Sequence, residues 1–120
     1  MATAVKRKLS GSTDGKPILV AAVATLGTTI HTAVAGTTAG TFDEIWLWAY
    51  NGNTSAVVLT IEFGGATVPD QNIVVTLAAQ SGLVPIVPGL ILQNAMVVKA
   101  FASVANKVTI SGFVNSITDA

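Results

Sequence analysis

Between residues 42 and 51 the chain alternates with period two. Phe42, Glu44, Trp46, Trp48 and Tyr50 fall on one side of an extended strand, and Asp43, Ile45, Leu47 and Ala49 on the other. Neither side is properly polar, so both are expected to be covered. Asn51, Gly52, Asn53, Thr54 and Ser55 supply turn residues, after which Val57, Leu59, Ile61 and Phe63 alternate against Val58, Thr60 and Glu62 until Gly64 and Gly65 end the pattern. The spacing predicts a β-hairpin over residues 42–63. In that pairing Glu44 and Glu62 are the two carboxylates that come to face each other.

The flanking segments repeat the theme with shorter strands. Residues 18–24 read as a buried strand turned by Leu26 and Gly27, and residues 28–35 set Thr28, Ile30, Thr32 and Val34 against Thr29, His31, Ala33 and Ala35. Residues 72–78 form a strand with Ile73, Val75 and Leu77 on one side. Pro85 and Pro88 make residues 83–87 an edge strand or an irregular crossing, because proline cannot donate to a sheet ladder. A short apolar piece covers residues 90–92, and a last hairpin spans residues 95–104 and 107–115 around Ala105 and Asn106. About eight short strands and no convincing helix predict an all-β fold, an antiparallel β-sandwich with jelly-roll-like order. The sandwich domain is expected over residues 17–115, with a C-terminal tail at residues 116–120. Residues 1–16, with Ser10, Gly11, Ser12, Asp14 and Gly15 crowded before Pro17, read as a flexible basic N-terminal arm.

Composition adds a reason for association. The chain's 120 residues suffice for one domain. Charged residues make up 10%, against about 25% in an ordinary soluble domain. Apolar types supply 51%, and more than half of these are the 18 alanines and 16 valines. Such small side chains suit close sheet packing, and weak surface charge does little to oppose self-association, so a homo-oligomer or shell-bound subunit is expected. The net charge of zero also divides unevenly. Residues 1–16 carry Lys6, Arg7, Lys8 and Lys16 against Asp14, a balance of +3, and residues 17–120 carry Lys99 and Lys107 against Asp43, Glu44, Glu62, Asp70 and Asp119, a balance of −3. Lys6, Arg7, Lys8 and Lys16 are therefore the candidate contacts of the arm with an acidic surface. Nucleic acid is not expected as a partner, because no aromatics are interleaved with these charges. The apolar runs at residues 18–26 and 83–92 fall short of the roughly 20 residues a bilayer-spanning helix needs, and no targeting segment is expected.

Candidate chemistry is sparse. The absence of cysteine removes disulfides, thiolate metal sites and cysteine nucleophiles. His31 is the single histidine, with no second imidazole and no nearby carboxylate in sequence. It reads as a surface or interface residue that could serve as a pH-sensitive contact, not as a metal ligand or triad member. Asp43 and Glu44 point to opposite faces of their strand, and no glycine-rich phosphate loop is present. No catalytic, cofactor-binding or metal residue is assigned, and the chain is expected not to be an enzyme. Phe42, Trp46, Trp48 and Tyr50 are the candidate core or subunit-interface residues. The same stripe could instead stack on sugar rings, as in a carbohydrate-binding module.

Several strings resemble those of small virion proteins of tailed bacteriophages. They are the basic start Lys6-Arg7-Lys8-Leu9-Ser10-Gly11, the segment Ile30-His31-Thr32-Ala33-Val34-Ala35-Gly36, the strand Asp43-Glu44-Ile45-Trp46-Leu47 with Leu59-Thr60-Ile61-Glu62-Phe63, and the proline-marked residues 83–92. The resemblance implies a capsid decoration, or cement, protein: a β-rich subunit, often trimeric, on the outside of the head, bridging neighbouring major capsid proteins. It implies no cofactor, a virion location after synthesis in the host cytoplasm, and an arm that reaches along the shell. Another virion part, such as a tail, fibre or head-to-tail joining subunit, carries the same texture.

Overall fold

The computed structural model describes residues 2–119. Nine strands form two antiparallel sheets, and among the described residues there is no helix. In chain order they are β1 (Ala2–Lys8), β2 (Ile18–Leu19), β3 (Thr28–Thr32), β4 (Phe42–Asn51), β5 (Val57–Phe63), β6 (Asn72–Leu77), β7 (Val84–Leu92), β8 (Val97–Ala102) and β9 (Val108–Asp119). The first sheet has the order β1-β9-β4-β7, with β2 also paired to β9, and the second has the order β3-β8-β5-β6. The chain thus passes back and forth between the sheets in jelly-roll order, as the sequence pattern leads one to expect.

The core lies between the two inner faces. Ile45, Leu47 and Ala49 of β4 and Ile110 and Val114 of β9 meet Leu59 and Ile61 of β5 and Val98 and Ala100 of β8, all fully buried. Each of these leucine, isoleucine and valine side chains contributes about 1.5–3 kcal/mol on burial, so alternation alone commits these strands to one facing. Leu9, Val20 and Ile30 belong to the same cluster.

Both predicted hairpins are in fact arches that cross from one sheet to the other. β4 pairs with β9 and β7, while β5 pairs with β6 and β8. Likewise β8 lies in the second sheet and β9 in the first. Two strands that face each other across a core show the same period-two pattern as two strands that share a ladder, which is why the pattern misassigned their partners. One consequence is that Glu44 and Glu62 do not face each other. Glu44 stands on the outer face of the first sheet, and Glu62 is in the second.

Three further expectations need correction. The strand foreseen at residues 18–24 is only Ile18–Leu19, after which residues 20–27 pass from β9 to the second sheet, with Val20 in the core, Ala22 O accepting the Ala102 N–H, and Thr25 and Gly27 bonded to Glu62. Residues 2–8, read as part of a flexible arm, are strand β1, paired antiparallel to β9 from Ala2 opposite Asp119 to Lys8 opposite Phe113. All seven of its side chains are exposed, so it shows no apolar periodicity by which to find it. Residues 116–119, read as a tail, are the end of β9, which β1 and β4 flank. Met1 and Ala120, the outermost residues of the expected arm and tail, lie outside the described residues.

Candidate functional site

The outer face of the first sheet is built by β1, β9, β4 and β7. Because Ile45, Leu47 and Ala49 point inward, Phe42, Trp46, Trp48 and Tyr50 stand outward, half-buried. Trp46 lies directly across from Phe113 of β9. The rings of Trp46, Trp48 and Phe113 are near parallel, with centroids 6.5, 6.3 and 6.0 Å apart pairwise. Lys6 of β1 sets its Nζ 4.2 Å from the centroid of Phe113, a cation–π contact that ties the basic strand to the aromatic cluster. On the other flank Trp46 packs against Gly89 of β7, where a Cβ would lie 2.7 Å from the indole. Glu44 Oε1 accepts hydrogen bonds from Trp46 Nε1 at 2.8 Å and Asn115 Nδ2 at 3.0 Å. These two donors, Asn115 first, hold the Glu44 carboxyl below its ordinary range, against a smaller opposing effect of burial.

The four basic candidates divide. Lys6, Arg7 and Lys8 are brought together on β1, while Lys16 lies in the connection to β2, where its N–H donates to Thr13 O at 3.0 Å. Arg7 and Lys8 also border a concavity of about 470 Å³ formed where the first sheet overhangs the edge of the second. His31 and Asp43 lie in its wall.

His31 is not a surface residue. A bulge between Thr29 and His31 shifts the register of β3, so that Ile30 and His31 are both buried. His31 and Asp43 are each only 4% exposed, and His31 Nε2 is 2.7 Å from Asp43 Oδ2. The same carboxylate oxygen accepts the Val34 N–H at 3.2 Å, while Oδ1 is buried without a partner among the described residues. His31 Nδ1 accepts the backbone N–H of Ser10 at 3.0 Å. The neutral ring therefore carries its proton on Nε2 and donates it to Asp43. A serine nucleophile would need the Ser10 hydroxyl on the imidazole. Here that hydroxyl accepts the Thr32 N–H at 2.7 Å, and both ring nitrogens are already engaged.

A smaller concavity of about 230 Å³ is lined by Leu26, Glu62, Gly64, Met96 and Lys99 among others. Its carboxylate, Glu62, is 1% exposed and accepts from Thr25 Oγ1 at 2.8 Å and the Gly27 N–H at 2.7 Å. Glu62 thereby fastens the crossing segment to the second sheet. Among the described residues, no group of three or more His, Asp or Glu side chains is arranged to hold a metal ion.

Sequence reasoning missed Phe113 and Asn115 as members of the outer face, and the His31–Asp43 pair. The alternation of Ile110, Gly112 and Val114 with Ser111, Phe113 and Asn115 was the available signal for the first two. Comparison with protein-family models, with curated proteins and with solved structures finds no match to this chain.

Proposed function

We propose that this protein is a structural, non-catalytic subunit of a bacteriophage virion, which decorates the outside of the head as a trimer and bridges major capsid proteins. The observation that carries the reading is the outer face of the first sheet. A half-exposed cluster of Trp46, Trp48 and Phe113 is joined by Lys6 to a fully exposed basic strand. Buried aromatics supply most of the energy of typical protein contacts, and a basic strand edge complements an acidic capsid surface. Jelly rolls recur in viral capsid and lectin domains, which is support by analogy of fold. A subunit that binds only the assembled shell stabilises it by linkage and needs no active site.

The experiment is cryo-electron microscopy of purified particles together with the mass of the isolated protein. Trimers at a fixed ratio to the capsid protein, spread over the head, are the expected result. A few copies at the tail would favour a joining or fibre subunit. Particle binding by Trp46→Ala and Trp48→Ala adds a direct test, with a loss of at least about tenfold expected if the face is the contact.

A second reading rests on Glu44 and Asn115 beside the rings, since a carboxylate and an amide bordering aromatics suit a glycan. Lys6 already occupies one face of Phe113, which weighs against sugar stacking there. Binding on a glycan array, lost in Trp46→Ala and absent for capsids, would favour this alternative.

A further inference from the structure

We infer that His31 is an acid-sensitive latch that holds strand β1 on the body of the protein. The inference does not depend on the proposed function. β1 buries none of its seven side chains, so its position rests on the β9 ladder, the Lys6–Phe113 contact and whatever fixes its root. A ladder without side-chain burial roughly balances the entropy of ordering the strand, which makes the root decisive.

That root is built on β3. Leu9 is buried at 1% exposure, the Gly11 N–H donates to Ile30 O at 2.9 Å, and Thr32 N–H donates to Ser10 Oγ. A Cβ on Gly11 would lie 2.6 Å from the carbonyl oxygens of Thr29 and Ile30, so the two backbones are in close contact. Between Leu9 and Gly11, the Ser10 N–H donates to His31 Nδ1. This bond exists only while Nδ1 is unprotonated.

Adding a proton to His31 affects its two partners oppositely. Asp43 keeps the Nε2 proton and gains a full charge to face, so that contact strengthens. At Nδ1 a new N–H meets the Ser10 N–H, donor against donor, and the root contact is lost. The surrounding charges add to the effect. β1 brings Arg7 and Lys8 to the same concavity, and both are repelled by an imidazolium. Among the described residues Asp43 of β4 is the one carboxylate lining it, β9 contributes the uncharged Ser116 and Thr118, and β8 sets Val98 opposite His31. Acid therefore opens Ser10 and loosens β1, exposing the β9 edge from Phe113 to Asp119 while the sandwich core remains closed.

The test compares amide hydrogen exchange near pH 7.5 and near pH 5, corrected for intrinsic exchange rates, with the tautomer and charge of His31 followed by long-range proton–nitrogen NMR. In the wild type, His31 is expected to be the Nε2-protonated tautomer at the higher pH, and the loss of protection should follow the fraction of doubly protonated ring that the NMR measures. Protection of Ser10 and of residues 2–8 should fall by about tenfold or more on acidification, with the β5–β8 ladder unchanged. In His31→Gln the difference between the two pH values should vanish. Unchanged protection of Ser10 in the wild type, a ring still neutral near pH 5, or the same acid response in His31→Gln would each overturn the inference. The wild-type arms decide the matter even where the variant fails to fold.

Discussion

Asn51 ends β4 with its side chain wholly buried, and it is the polar link of the β4–β5 arch. Its Nδ2 donates to the carbonyls of Ser55 and Leu77, each at 3.1 Å, and its Oδ1 accepts the Asn53 N–H at 2.9 Å. Asn51→Ala removes these three bonds, together with a longer one from Nδ2 to Ala78 O at 3.4 Å, and leaves the buried Leu77 carbonyl without this donor. At about 1 kcal/mol net per bond, with a desolvation penalty for the stranded group, the expected loss is about 2–4 kcal/mol. A domain of this size has roughly 5–15 kcal/mol to lose. At about 3–5 °C per kcal/mol, the melting temperature should drop by about 10 °C. Urea titration with an unchanged slope would show that the native state is affected and not the extent of unfolding. Asn53→Ala is the control: Asn53 Oδ1 serves the exposed Thr54 N–H, so this variant should stay within about 0.5 kcal/mol of wild type. If Asn51→Ala costs no more than the control, the connection is a solvated turn and the arch is wrong.

Three other outcomes follow from single contacts. Gly112→Ala places a Cβ against the Trp46 backbone oxygen where β9 meets β4, and equilibrium unfolding should show a loss of about 1–3 kcal/mol or more from overpacking. Glu62→Ala strips Thr25 and Gly27 of their shared acceptor, so limited proteolysis should cut within residues 20–27 faster than in wild type while the core ladders keep their protection. Because the folded Glu44 carboxyl is held below its unfolded value, its contribution is present above the ordinary carboxylate range and is lost as pH falls through the lower, folded value. Trp46 fluorescence should therefore stay constant down through the ordinary range and change only below it, and Glu44→Gln should abolish that change.

Strand content and facing were legible in the sequence; partners were not. The alternation from Phe42 to Asn51 correctly separates the inward Ile45, Leu47 and Ala49 from the outward aromatics. It is silent on whether Val57 to Phe63 lies beside that strand or across the core from it. His31 was hidden by the bulge at Thr29, which turns two successive residues inward and breaks the period on which the reading depended. Its carboxylate, Asp43, lies 12 positions away on the other sheet, a proximity that only the tertiary fold creates. β1 was missed for the opposite reason: a strand that buries nothing has no pattern to read. The aromatic stripe was visible, but Phe113 and Asn115, which complete it, come from the far end of the chain.

The position of β9 has a consequence for how the molecule comes into being. This last strand sits inside the first sheet, with β1 and β2 along one side and β4 along the other. On a translating ribosome, β1 and β2 are made before β9 and wait without their partner, and β4 has only β7 to pair with. The second sheet, whose four strands all precede β9, can assemble earlier. Completion of the sandwich is thus a late, non-local event, of the kind that makes folding slow and leaves unpaired edges open to neighbouring copies while synthesis is under way. Where many copies are made at once, the emergence of β9 sets when those edges close.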